Sequence, residues 1–126
     1  MTIRLNHTIV PAADNEAAAR FLADVLGLEY GGLHPVAGHF AQLRVNDELT
    51  LDYMTVPDAG GHHLAFDVDP VTFDAAVAHL RAHELPHGDG PGTPTNGRVD
   101  ERHPLGARGV YFADPSGNLY ELISPS

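Results

Sequence analysis

The chain lacks cysteine altogether and has few basic side chains. Without cysteine it can form no disulfide, no zinc–thiolate site and no cysteine nucleophile, and a cytoplasmic location is the expectation. Seven Lys and Arg residues stand against 17 Asp and Glu residues, which gives a formal net charge of −10 with histidine neutral. A surface of that sign repels nucleic acid and anionic membranes, so neither is expected as a partner.

Long apolar runs are missing as well. The sequence contains no run of about 18 apolar residues, so no membrane-spanning helix is predicted. The N-terminal residues 1–7 also lack the apolar centre of a signal peptide. A length of 126 residues suits one domain that buries a sizeable core. We therefore expect a single domain over residues 1–126.

What the chain does contain is a pattern that occurs twice. Alternating apolar residues predict a first strand that stops at Pro11, and Asp14 and Gly27 bracket a predicted helix. Extended segments follow over 28–33, 40–45 and 49–54. After a Gly- and Pro-containing linker, a strand over 62–68, a helix capped by Asp69 and a hairpin over 109–124 repeat the order. The pattern predicts an α+β fold of two tandem βαβββ modules, about residues 1–57 and 62–126, whose curved, half-open mixed sheet surrounds a cavity.

The closing hairpin carries one residue that needs a partner. Asp114-Pro115-Ser116-Gly117-Asn118 is typical of a tight turn, and Glu121 follows in the middle of an apolar strand. Because an ionised carboxylate is costly to bury alone, a cation is its natural companion.

The alternation of side chains along the strands indicates which other residues could bind that cation. Leu51, Tyr53, Tyr120 and Leu122 are predicted to cover the helices, while Asp52 and Glu121 face the cavity. His7 and His63, 56 residues apart in the first strand of each half, add two imidazoles. Two histidines and a carboxylate suit octahedral Fe²⁺, Mn²⁺ or Ni²⁺, and Zn²⁺ also accepts such ligands. Four potential ligands, His7, His63, Asp52 and Glu121, are therefore predicted to converge on the cavity, with a divalent metal as cofactor.

Taken together, the repeat, His63-Leu64-Ala65-Phe66 and residues 111–121 (YFADPSGNLYE) resemble the vicinal oxygen chelate superfamily. That superfamily includes glyoxalase I, extradiol dioxygenases and bleomycin-resistance proteins. The resemblance implies that the positions of His7, His63 and Glu121 hold the metal, and it places Asp52 at or next to a further carboxylate position. It also implies a homodimer, with the metal held within one chain or shared between two.

The resulting hypothesis is a metal-dependent enzyme that chelates neighbouring oxygens of a small organic substrate. Glu121 and Asp52 are the candidate catalytic carboxylates, and the reaction is of the glyoxalase or of the dioxygenase type. The alternative is a drug-binding protein of the bleomycin-resistance type without catalysis. The predicted substrate-binding residues are Phe40, Gln42, Arg44 and Met54, although the first three also fit an exposed face with one structural arginine. Residues 86–106 are predicted to form a lid or a mobile loop, in which His103 is a minor candidate for contact with substrate.

Overall fold

The computed structural model describes residues 2–126, and its two halves have the same order of elements. Module 1 contains β1 (His7–Ala12), α1 (Asn15–Leu26), β2 (Phe40–Arg44) and β3 (Thr50–Thr55). Module 2 contains β4 (His63–Asp67), α2 (Pro70–Ala82), β5 (Arg108–Ala113) and β6 (Leu119–Ser124). The predicted α+β fold with a repeated module is thereby confirmed.

Each module forms a three-stranded mixed sheet with its last strand in the middle. β3 pairs in parallel with β1 and antiparallel with β2, and β6 pairs in the same way with β4 and β5. The register also repeats, because His7 lies opposite Thr50 and His63 lies opposite Leu119. Two residues beyond these partners, Asp52 and Glu121 therefore occupy equivalent positions in the two sheets.

The remaining strand of each predicted module is reduced to isolated β-bridges. Leu33 bridges Ala41 beside β2, whereas Gly88 bridges Tyr111 and Asp100 bridges Gly109 beside β5. The glycines and prolines around both bridges have low strand propensity, which explains why the pairing does not extend.

The first strand does not stop at Pro11, contrary to the sequence prediction, but runs on to Ala12. β1 lies at the edge of its sheet. Along a strand, the backbone groups of successive residues point alternately to the two neighbouring positions in the sheet. The carbonyls of Asn6 and Ala12 accept hydrogen bonds from the β3 side. Pro11 directly precedes Ala12, so its nitrogen points away from β3, to the open edge. Proline is tolerated there because it has no ladder hydrogen bond to lose.

Both helices begin at the predicted caps. Asp14 accepts a hydrogen bond from the Ala17 amide at 3.1 Å, and Asp69 accepts one from the Thr72 amide at 3.3 Å. Gly27 ends α1 with a φ of 70°, a left-handed conformation that suits glycine. Within residues 2–126, neither helix is long and apolar enough to cross a membrane.

One core lies between the two modules. Leu51, Tyr53, Tyr120 and Leu122 are fully buried beneath the helices, as the alternation predicts. The two helices contact each other, and the Tyr53 and Tyr120 hydroxyls meet at 2.7 Å. The helix-covered sides of the sheets thus share this core, whereas the opposite faces, which carry His7 and His63, remain open in a single chain.

The turn between β5 and β6 is organised by the buried carboxylate of Asp114. Its Oδ1 accepts the amides of Ser116 and Asn118 at 2.8 and 3.1 Å. Its Oδ2 accepts the Asn118 side-chain amide at 3.0 Å and the Tyr120 hydroxyl at 2.8 Å. Since Tyr120 donates to Asp114, Tyr53 is the donor in the bond between the two tyrosines. The Asn118 amide also donates to the Pro11 carbonyl at 2.9 Å, which ties the turn to module 1.

Replacing Asp114 with asparagine is expected to destabilise the whole fold. The new NH₂ group would face donors where the carboxylate accepts, leaving buried polar groups unpaired. We expect the free energy of unfolding in urea to fall by roughly 2–4 kcal/mol. The matched change Asp24→Asn, at an exposed position of α1, should cost less than about 0.5 kcal/mol. Equal effects of the two changes would contradict the organising role of Asp114.

Candidate metal centre

The open face of the module 2 sheet brings two predicted metal ligands together. His63 is the first residue of β4, and Glu121 lies in the middle of β6 beside it. Their side chains point to the same face because Glu121 is opposite Ala65, two residues after His63. The Nε2 atom of His63 lies 2.9 Å from Oε1 of Glu121. Half of the His63 side chain remains exposed, whereas that of Glu121 is buried.

Two further side chains contact the other oxygen of Glu121. The Nε2 atom of His103 lies 2.5 Å from Oε2, and the Tyr111 hydroxyl donates to the same oxygen at 2.9 Å. His103 comes from the 86–106 segment, which is paired with β5 through Gly88 and Asp100. Its side chain is only 1% exposed. Glu121 is therefore surrounded by three hydrogen-bonding partners within one module.

Sequence reasoning missed Tyr111 and gave His103 only a minor place. Tyr111 could have been identified from the sequence, because the predicted turn at 114–118 sets a hairpin register that pairs it with Glu121. The position of His103 carries no such local signal. It depends on how a Gly- and Pro-rich segment folds back over β5 and β6, which strand and helix periodicity do not describe.

These contacts control the ionisation of Glu121. Burial raises the pKa of Glu121, but the hydrogen bonds from His103, Tyr111 and His63 lower it by more, so the pKa lies below its ordinary value. Burial and the bond to Glu121 raise the pKa of Tyr111 to about 12. At neutral pH Glu121 is thus an anion, and Tyr111 is a protonated donor facing it.

Module 1 carries a related arrangement in which the buried carboxylate has fewer hydrogen bonds. Asp52, which occupies the position equivalent to Glu121, accepts one hydrogen bond, from Nε2 of Gln42 at 3.2 Å. Gln42 lies opposite Asp52 just as Tyr111 lies opposite Glu121. The His7 ring is exposed and contacts the Asn6 side chain at 2.7 Å. Asp52 is therefore less firmly held than its counterpart.

The predicted substrate-binding residues lie on this face of module 1. Phe40, Gln42 and Arg44 line a groove of about 380 Å³ with His7 and Asp52. Met54 is half-buried opposite Phe40 on β3. Arg44 bonds Thr50 and the Asp47 carbonyl, so part of its guanidinium serves the structure of the β2–β3 turn.

The three predicted metal ligands do not all meet within one chain. His63 and Glu121 are adjacent, but His7 lies on the other sheet and hydrogen-bonds neither of them. Across residues 2–126, no three His, Asp or Glu side chains are arranged to hold a metal ion. The role of His7 as a ligand stays a prediction.

The pair that does meet fits a divalent ion. Nitrogen and oxygen ligands at about 2.1 Å from an ion, in adjacent octahedral positions, lie about 3.0 Å apart. His63 Nε2 and Glu121 Oε1 are hydrogen-bonded at 2.9 Å, so the two atoms already lie side by side at about that separation. The donor set is also one that Fe²⁺, Mn²⁺, Ni²⁺ and Zn²⁺ accept.

The low pKa of Glu121 predicts a pH dependence of stability. A carboxylate whose pKa is lower in the folded than in the unfolded chain stabilises the fold above the unfolded value of 4.5, and this stabilisation is lost as the pH falls through the folded value. In urea unfolding with a chelator present, the wild type should lose more stability than Glu121→Gln between about pH 5 and pH 3. The exposed change Glu29→Gln serves as control. Parallel losses in wild type and Glu121→Gln would contradict the prediction.

Comparison with known proteins places this geometry in a family. The family model of the glyoxalase/bleomycin resistance protein/dioxygenase superfamily matches residues 4–122. No curated protein sequence matches the chain significantly.

Three solved structures illustrate the range of similar proteins. One, described as oxidase ChaP-H2, is 36% identical with a TM-score of 0.87, covering 98% of this chain and 94% of that chain. TnmS3, an antibiotic binding protein from Streptomyces sp. CB03234, is 27% identical with a TM-score of 0.73, covering 99% and 98%. A lactoylglutathione lyase from Agrobacterium tumefaciens is 25% identical with a TM-score of 0.65, covering 96% and 91%. The chain belongs to the glyoxalase/bleomycin resistance protein/dioxygenase superfamily, the vicinal oxygen chelate proteins.

Proposed function

We propose that the protein is a metal-dependent enzyme that oxidises a small organic substrate through two neighbouring oxygens of that substrate. The observation that carries this proposal is the His63–Glu121 pair, which brings a nitrogen and an oxygen donor within 2.9 Å of each other on an open sheet face. His63, Glu121 and His7 would hold a divalent ion, which would supply Lewis-acid stabilisation of a developing oxyanion or, as Fe²⁺, open positions for O₂.

Oxidation is favoured over isomerisation by the named relatives. The oxidase ChaP-H2 shares 36% of its residues with this chain, whereas the lactoylglutathione lyase shares 25%. In either reaction a group must remove a proton from the bound substrate. Asp52 is the better-placed carboxylate for this task, since it keeps a single hydrogen bond of 3.2 Å and lies in the groove that Phe40 and Gln42 also line.

The metal site requires a second copy of the chain. His7 and His63 lie on sheet faces opposite to the shared core, so one chain does not join them. Ile9, on the same face as His7, is 43% exposed. A homodimer in which the module 1 face of one copy covers the module 2 face of the other would bring His7 to His63 and Glu121. It would also place Asp52 and the groove over the metal.

A binding function without catalysis is the second candidate. It is favoured by the antibiotic binding protein TnmS3, which aligns with almost the whole chain at 27% identity. In that case the two sheet faces would enclose a ligand without reaction. The retained pair of His63 and Glu121 favours the enzyme.

Metal content is the direct test of the proposed site. Protein purified from cells supplied with Fe²⁺, Mn²⁺, Ni²⁺ or Zn²⁺ should contain stoichiometric metal by elemental analysis, and His63→Ala should lose it. His62→Ala is the matched control, because this exposed neighbouring histidine precedes β4 and is not among the side chains that contact Glu121. Absence of metal from the wild type, together with unchanged ligand binding in a chelator, would favour the binding function.

Mixed dimers test whether the site is shared between copies. Neither His7→Ala nor His63→Ala should bind metal alone if both residues are ligands. A mixed dimer of the two variants keeps one intact His7 and one intact His63, and a shared site would unite them. We therefore expect mixing under exchange conditions to restore metal binding in the mixed species. If metal binding is not restored although mixed dimers form, the site is not shared in this way.

A further inference from the structure

The contacts of His103 determine which nitrogen of its ring carries the proton. The backbone amide of Leu105 donates to Nδ1 at 3.0 Å. A backbone amide can only donate, so Nδ1 carries a lone pair and the proton of the neutral ring is on Nε2. The Nε2–H group therefore donates to Oε2 of Glu121. In this state His103 offers Glu121 a hydrogen bond and has no free lone pair on Nε2 for a metal.

Oε2 of Glu121 is thereby fully occupied. A carboxylate oxygen accepts about two hydrogen bonds, and Oε2 receives one from His103 and one from Tyr111. Oε1 has a single partner, the exposed ring of His63. The two oxygens of one carboxylate thus differ: one is buried behind two donors and the other faces the open side.

A glycine in module 2 leaves space for the His103 ring. Gly109 lies opposite Ile123 as Phe40 lies opposite Met54, so Gly109 and Phe40 are equivalent in the two sheets. A Cβ atom at Gly109 would lie 2.4 Å from Cδ2 of His103. Module 1, with Phe40 at this position, has no comparable space. The glycine leaves room on the sheet face that the His103 ring fills.

We propose that His103 is a positioning residue that fixes Glu121 as a metal ligand through Oε1 alone. The proposal rests on the metal site described above and assigns different roles to the two carboxylates. Glu121, held by His103 and Tyr111, stays in place as a ligand. Asp52, with its single bond to Gln42, is the one free to move a proton.

The state of His103 can be measured without any metal. Long-range ¹H–¹⁵N NMR spectra of the chelated protein should show a histidine with protonated Nε2 and unprotonated Nδ1, absent from the spectrum of His103→Gln. A ring protonated on Nδ1, or one that averages between both forms, would overturn the proposal.

Metal affinity then tests the consequence, with Co²⁺ alone as the probe and its visible spectrum as a readout of coordination. Loss of a group that orients a ligand typically weakens metal binding about 10–100-fold, and we expect this of His103→Leu. His103→Gln, which keeps an N–H donor at a similar reach, should bind nearly as tightly as the wild type. Gly109→Ala should reproduce the loss because its methyl group displaces the ring.

The control lies in the same segment. His87 is equally buried and does not contact Glu121, so His87→Leu should leave Co²⁺ affinity and spectrum unchanged if packing of the segment is not the cause. Wild-type affinity in His103→Leu, or equal losses in His103→Gln and His103→Leu, would overturn the positioning role alone. Failure of the wild type to bind Co²⁺ would overturn the metal site itself, and the ligand role with it.

Discussion

The fold depends on the carboxylate of Asp114. This one group accepts two backbone amides of its own turn, the side chain of Asn118 and the hydroxyl of Tyr120. Through Tyr120 it reaches Tyr53, and through Asn118 it reaches the backbone of module 1, so a local turn also joins the modules. The same turn sets the hairpin register. Because side chains alternate along a strand, a slip of one residue would turn Glu121 into the core and remove the candidate site.

The two modules share a backbone plan but differ in the chemistry of their open faces. In each, a histidine on the first strand and a carboxylate on the last strand lie in the same register, with a donor on the neighbouring strand. Module 1 uses the shorter Asp52 and a weak amide donor, beside the aromatic ring of Phe40. Module 2 uses Glu121 and a tyrosine, and glycine at the equivalent of Phe40 admits His103. Different residues at equivalent positions thus give module 1 an open groove and module 2 a carboxylate that is firmly held by hydrogen bonds.

Local signals predicted the parts of the structure that depend on neighbouring residues. The Asp14 and Asp69 caps, the turn at 114–118 and the burial of Tyr53 and Tyr120 all follow from short-range periodicity and capping chemistry. The end of the first strand was predicted wrongly at Pro11. A proline is tolerated within β1 because this strand lies at a sheet edge, and that position is set by tertiary structure. The packing of His103 was not predictable for the same reason. His7 lies on a different sheet from His63 and Glu121, and local sequence pattern does not determine how the open faces of two sheets are placed relative to each other.

The contacts of Glu121 also explain how a buried anion is stable without a cation beside it. An unpartnered carboxylate in this position would strongly destabilise the folded chain. Three donors from module 2, His63, His103 and Tyr111, satisfy it instead. A divalent ion at the proposed site would take the place of the bond between His63 Nε2 and Oε1, and the Nε2 proton of a neutral His63 ring would have to move to Nδ1. Because both side chains would bind the ion through unprotonated atoms, binding would weaken on acidification. The bonds from His103 and Tyr111 to Oε2 would stay in place.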